Sequence, residues 1–179
     1  MWIDSHVNLH GEKFEDDLDA VVEAARAAGV AAMLTICCKL SEFDAVHALT
    51  RRYDKMYCSV GTHPHEAREN PDITPEDLIK HTDDDKVIGI GETGLDFHYN
   101  YSDAEDQYRN FDAHIKASRE TGLPLIIHSR NADAEMAKLL ESEMAKGAFP
   151  HLLHCYTGGP DLAARSLALG GYIAFSGIL

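Results

Sequence analysis

Residues 87–92 read Val-Ile-Gly-Ile-Gly-Glu, a short apolar run that ends on a carboxylate. The same arrangement recurs three times: Trp2-Ile3 precedes His6, Leu125-Ile126-Ile127 precedes His128, and Leu152-Leu153 precedes His154. Short apolar runs bounded by turn-forming residues predict buried strands. Each of the four side chains therefore stands where a strand is expected to give way to its loop. A lone histidine at a strand end is commonly a hydrogen-bonded structural residue. Four metal-capable groups at one register of four strands are what a parallel α/β barrel gathers at the C-terminal mouth of its sheet to hold a metal.

The rest of the chain carries the same punctuation. Strand-like runs fall near residues 1–5, 30–38, 56–61, 86–91, 124–128, 149–154 and 171–176. Helix-like stretches lie between them at 15–28, 41–53, 75–82, 104–121, 132–146 and 160–169. Gly29, Gly122, Gly147 and Gly170 sit where helix C-caps are expected, shortly before the next strand. Alternation at this spacing predicts βαβ units, a parallel sheet and a single domain over residues 1–179. The expected fold class is α/β, a parallel (β/α) barrel of the TIM type with about seven of its eight strands present. On that reading the chain lacks the C-terminal strand and helices, and two unpaired strand edges favour self-association. An open doubly wound sheet is the rival architecture.

Composition narrows the function classes. The 179 residues, 45% hydrophobic and 26% charged, suffice for one core. No apolar run approaches the ~20 residues of a membrane span. Met1-Trp2-Ile3-Asp4 lacks the basic and long apolar parts of a secretion signal. Cys37, Cys38, Cys58 and Cys155 show no CxxC spacing, so reduced, buried thiols and a cytoplasmic location are expected. A formal charge of −14 argues against a broad basic surface. A nucleic-acid substrate would have to be held by metal and local cations. No membrane partner and no stable protein partner is expected. Gly91 and Gly94 lack the third glycine and the immediate helix of a dinucleotide loop.

Six segments in order carry a resemblance: Asp4-Ser5-His6-Val7-Asn8-Leu9, Gly61-Thr62-His63-Pro64-His65, Gly91-Glu92-Thr93-Gly94-Leu95-Asp96, Leu123-Pro124-Leu125-Ile126-Ile127-His128-Ser129-Arg130, His154-Cys155-Tyr156-Thr157-Gly158 and Gly171-Tyr172-Ile173-Ala174-Phe175-Ser176-Gly177. Together they resemble the TatD family of metal-dependent deoxyribonucleases, within the amidohydrolase-like superfamily, from the first residue to the last. The resemblance implies a hydrolase that cleaves DNA phosphodiester bonds from a 3′ end with two divalent ions (Mg, Mn or Zn) and a metal-activated water. It implies that Glu92 is the catalytic carboxylate, bridging both ions. His6 and position 8 would hold the first ion with an Asp after the eighth strand, and His128 and His154 the second. Two departures matter. Asn8 replaces the second His of the family's His-x-His, and the chain ends before that Asp. One well-held ion, on His128 and His154, is therefore expected. The alternatives are a metal-binding but catalytically silent barrel, and an amidohydrolase or lactonase using the same metal pair.

Other residues have two readings each. His63 and His65 flank Pro64 after the third strand and are candidate substrate contacts, with solvent-facing imidazoles as the plain alternative. Arg130 could clamp a phosphate oxygen through its fork of donors, or join an ion pair. Asp96 reads as an acceptor for a ligand His or as a turn cap, and Asp4 as a support for His6. Tyr99 and Tyr101 could stack on a base, although a partly buried loop cluster is expected. His10, His47, His81, His114 and His151 lie off the register and are expected to be structural or exposed.

Overall fold

A computed structural model describes residues 1–178. Its strands are β1 (Trp2–Val7), β2 (Val30–Thr35), β3 (Met56–Val60), β4 (Val87–Asp96), β5 (Leu125–Arg130), β6 (His151–Leu153) and β7 (Tyr172–Ile173). Its α-helices are α1 (Leu18–Ala27), α2 (Phe43–Arg52), α3 (Pro75–Ile79), α4 (Ala104–Thr121), α5 (Asp133–Lys146) and α6 (Pro160–Ala168). The strands form one parallel sheet whose spatial order is the sequence order. A doubly wound sheet reverses its order at a switch point; this one does not, and it curls as the wall of a TIM-type barrel does.

The core sits on the central strands. β3 and β4 are buried on both faces, as parallel strands covered by helices must be. Val60, Ile90, Leu125, Ile127 and Leu153 join Phe111 and Ile115 of α4 in one cluster. Gly29, Gly122 and Gly170 adopt the left-handed conformation expected of helix terminators. Gly147 does not: at φ 166° it is extended, and the chain passes from α5 straight towards β6, with Arg119 Nε donating to the Gly147 carbonyl.

Two strands run further than their apolar stretches. Glu92 and His128 were expected at strand ends, yet β4 continues to Asp96 and β5 to Arg130 through the pairs Thr93↔Ile127, Gly94↔His128, Leu95↔Ser129 and Asp96↔Arg130. Polar residues ended the hydrophobic pattern while the backbone ladder went on. The register shifts between Ile90 and Thr93, and an irregularity of that kind re-aims a side chain, here Glu92. The neighbouring backbones close up at the same level. A Cβ on Gly61 would stand 2.5 Å from Gly91 Cα, so only glycine fits there.

Among the described residues β1 pairs only with β2, and β7 only with β6. Trp2, Ile3, Tyr172 and Phe175 are exposed at these margins. Residues of β1 and the segment 174–176 nevertheless line one shared cleft of about 240 Å³, into which His6 and His154 also project. The final strand-like run, expected over 171–176, contributes only Tyr172–Ile173 to the sheet, and Leu179 lies outside the described residues. No helix among the described residues is long and apolar enough to cross a membrane.

Candidate metal centre

Glu92 is only 4% exposed, and its carboxylate is the hub of the mouth. Oε1 lies 2.5 Å from His154 Nε2, 3.3 Å from His128 Nδ1 and 3.5 Å from His63 Nε2. Oε2 lies 3.3 Å from His6 Nε2 and 3.7 Å from Cys38 Sγ. Burial alone would raise the carboxyl pKa. The imidazoles of His128, His154, His6 and His63 outweigh it and hold Glu92 well below the ordinary carboxylate range. Burial also keeps His63 below the usual imidazole value, with Glu92 opposing. At His128 the order reverses, and Glu92 and Asp96 overcome burial to raise it.

The donor atoms form two groups, each mutually within 4.8 Å: His6, Glu92 and His154, and His63, Glu92 and His128. His6, Glu92, His128 and His154 thus meet in space, but not in the expected partition, which paired His128 with His154. The curl explains the difference. His154 follows β6 and faces β1 across the cleft, where its ring stacks on His6 at 3.9 Å and 6°. His63 instead meets His128 edge-on at 4.5 Å. Imidazoles grouped on one ionised, buried carboxylate suit Zn, Mn, Ni or Fe, so the residues present fit a divalent metal.

Behind one side stands a hydrogen-bonded frame. Asp96 Oδ2 lies 2.8 Å from His65 Nε2 and 3.0 Å from His128 Nε2. Asp96 Oδ1 accepts from the amides of His98 and Tyr99. Both readings of this residue therefore hold at once. Its carboxyl is lowered to about 2, the Tyr99 amide and the two imidazoles overcoming burial. Gln107 clamps the Asp96 backbone on both its amide and its carbonyl. His114, fully buried, accepts from Thr62 N at 2.9 Å and is tied to Asn110 O at 2.7 Å. It thereby sets the segment that carries His63 and His65. Sequence reasoning treated His114 as one more off-register residue. The polar spacing Gln107, Asn110, His114 on the buried face of α4 was the signal available.

His65 touches Asp96 rather than Glu92. Arg130 makes no ion pair among the described residues and lies over the Tyr99 ring at 5.7 Å. Tyr99 stacks on Tyr101 (5.5 Å, 15°), and His65 meets both rings edge-on. The two tyrosines are 48% and 55% exposed, which corrects the expected partly buried cluster. Their loop leaves β4 beyond the last rung paired with β5. Asp4 accepts the His6 backbone amide at 3.1 Å and supports the strand only. His10, His47 and His151 pair with Glu42, Asp84 and Ser166, and His81 packs on Phe43.

An in-order curl of parallel strands with imidazoles and a buried carboxylate at its C-terminal mouth defines the class of metal-dependent barrel hydrolases. Within that class the chain belongs to the TatD related DNase family, whose family model matches residues 3–179. It is 33% identical over 180 residues to the uncharacterized metal-dependent hydrolase YabD of Bacillus subtilis, covering 99% of this chain and 69% of that protein. It is 35% identical over 176 residues to the 3′-5′ ssDNA/RNA exonuclease TatD of Escherichia coli K12, covering 97% and 66%. The crystal structure of the TatD homolog YJJV from Escherichia coli K12 superposes with a TM-score of 0.85 at 28% identity, over 96% of this chain and 66% of that one. A TatD family hydrolase of Entamoeba histolytica gives the same TM-score at 23% identity and shows the fold alone. The chain therefore spans about two thirds of the length of these relatives.

Proposed function

We propose that residues 1–179 act as one hydrolase unit that cleaves phosphodiester bonds of nucleic acid, shortening single-stranded DNA from its 3′ end with divalent metal held around Glu92. The observation that supports this most is the convergence of His6, His63, His128 and His154 on one buried, ionised carboxylate at the mouth of the sheet. Divalent metal bound there supplies Lewis acidity, lowering the pKa of a bound water and neutralising charge on a phosphoryl group. The rest is done by the chain. Glu92 keeps its charge despite burial, and His63 stays neutral and available as a donor. Asp96 holds the ring of His128 by Nε2 and leaves Nδ1 facing Glu92. Arg130, free of an ion pair among the described residues, would meet a phosphate, and the exposed Tyr99–Tyr101 pair would offer a stacking shelf for an unpaired base. The anionic surface of the chain leaves backbone contact to these local groups and the metal.

A 5′-labelled single-stranded oligonucleotide with Mn or Mg provides the test. A ladder shortening from the 3′ end is expected, with lactones and carboxylic esters untouched. Turnover of a lactone without DNA cleavage would assign the same centre to an amidohydrolase-type reaction, and metal binding without any turnover would mark a silent barrel, which Asn8 favours. Tyr101→Ala is expected to weaken single-strand binding by about 1–3 kcal/mol, with metal content unchanged in elemental analysis.

A further inference from the structure

The two sides of Glu92 are unequally furnished. His6 is the one imidazole against Oε2, with His154 completing its donor group from Oε1, and Asn8 brings an amide where the family resemblance implies a second histidine. Beside them stands a side chain that sequence reasoning had assigned to the core. Cys38 Sγ lies 3.7 Å from Glu92 Oε2 and 4.0 Å from Asn8 Oδ1. It is placed as His63 is, three residues beyond the end of its strand, β2 in one case and β3 in the other.

Its backbone is pinned to the site. The Cys38 carbonyl accepts from His63 N at 2.9 Å, and the Cys37 carbonyl accepts from Glu92 N at 3.0 Å. The neighbouring thiol is unlike it: Cys37 is fully buried and points to the carbonyls of Lys39 and Gly61. Cys38 has the Glu92 carboxylate and the Asn8 amide as its polar partners. The same cluster also leaves two buried ring nitrogens, His6 Nδ1 and His154 Nδ1, without partners among the described residues, and the His154 side chain is only 10% exposed. Sγ stands outside the two tight donor groups, at the separation of a thiol that gives its hydrogen to a carboxylate. A cation held between them would take the place of that hydrogen.

We infer that Cys38 is a metal ligand which joins His6, Glu92 and His154, with the Asn8 amide oxygen, and makes their position a mixed sulfur, nitrogen and oxygen site for a zinc-like ion. This rests on reading the Glu92 cluster as a metal centre. On ligation the S–H bond breaks, a sulfur–metal bond forms, and the proton leaves to solvent; no electron is transferred. The thiolate supplies the soft donor and negative charge that Asn8 cannot, and it biases the position towards Zn, Co or Cd and against Mg.

Cobalt(II) titration of the whole chain, followed optically, tests this. A near-ultraviolet thiolate-to-cobalt charge-transfer band is expected, absent in Cys38→Ser and retained in Cys37→Ser and Cys155→Ser. Circular dichroism checks that each variant is folded. A second measurement needs no variant: zinc should slow alkylation of Cys38 in the native chain, read by mass spectrometry, by at least tenfold, whereas magnesium should not. Cobalt bound without the band, a band that persists in Cys38→Ser, or equal alkylation with and without zinc would each overturn the assignment and leave the metal centre standing. No cobalt bound at all would overturn both.

Discussion

Glu92 Oε1 meets three imidazoles, whereas Oε2 meets one imidazole and a thiol. The contrast extends outward. Behind the Oε1 side, Asp96, Gln107 and His114 fix His128, His65 and the His63 segment from the packed centre of the sheet. The other side, where His6 and His154 form a donor group with Glu92, is built from β1, the loop after β2 and the end of β6, beside the open cleft, with both Nδ1 atoms unpartnered among the described residues. Groups that orient a ligand raise its affinity for metal. The difference teaches that a cluster of similar side chains need not be two similar sites: the framed side should fill first and release last.

The harshest way to break this contrast is to remove what both sides share. Glu92→Gln should empty both positions and lower turnover by more than about 100-fold, the upper range for outer partners alone; elemental analysis showing two retained ions would refute it. His128→Ala and His6→Ala separate the sides. The first should lose the tighter ion and the second only the weaker, as read by titration calorimetry, while His47→Ala, 2.9 Å from Asp84 and away from the mouth, changes neither. Identical losses in the first two would show the sides to be equivalent. Asp96→Asn should cost the Oε1 side alone about 10–100-fold in affinity, and Asn8→His should strengthen the Oε2 side.

The mildest effect is on stability. Burial lowers His114 from 6.5 to about 4. Above pH 6.5 its ring is neutral in folded and unfolded chains alike, so nothing changes there. As pH falls from 6.5 towards 4 the unfolded chain binds a proton that the folded chain refuses, and stability declines through that window. Urea midpoints should fall less steeply between those pH values in His114→Gln than in the parent. Equal slopes would remove His114 as the buried prop.

Much of this was legible because it is local. The expected helix at 104–121 is α4 residue for residue, since Gly122 supplies a left-handed terminator and Asp103 an extended N-cap. His6, Glu92, His128 and His154 could be singled out because each follows a short apolar run, a signal carried by a few neighbouring residues. What could not be read depends on distant partners. β4 runs past Glu92 only because β5 keeps pairing with it. His154 joins His6 only because the sheet curls far enough to bring β6 round to β1. Cys38 reads as a core thiol because it ends the strand-like run over residues 30–38, after Ile36 and Cys37. Beyond the end of β2 the alternation of faces no longer tells where a side chain points.

The stacked rings of His6 and His154 have a mechanical meaning. They belong to segments near opposite margins of the sheet, and the cleft between those margins carries no strand-to-strand pairing among the described residues. An ion gripped by both rings would act as a clasp on a bent leaf, and its binding free energy would also resist uncurling. Chelation should therefore loosen the margins before the centre. Amide hydrogens of β1 and β7 would exchange faster, while those of β3 to β5 keep their protection.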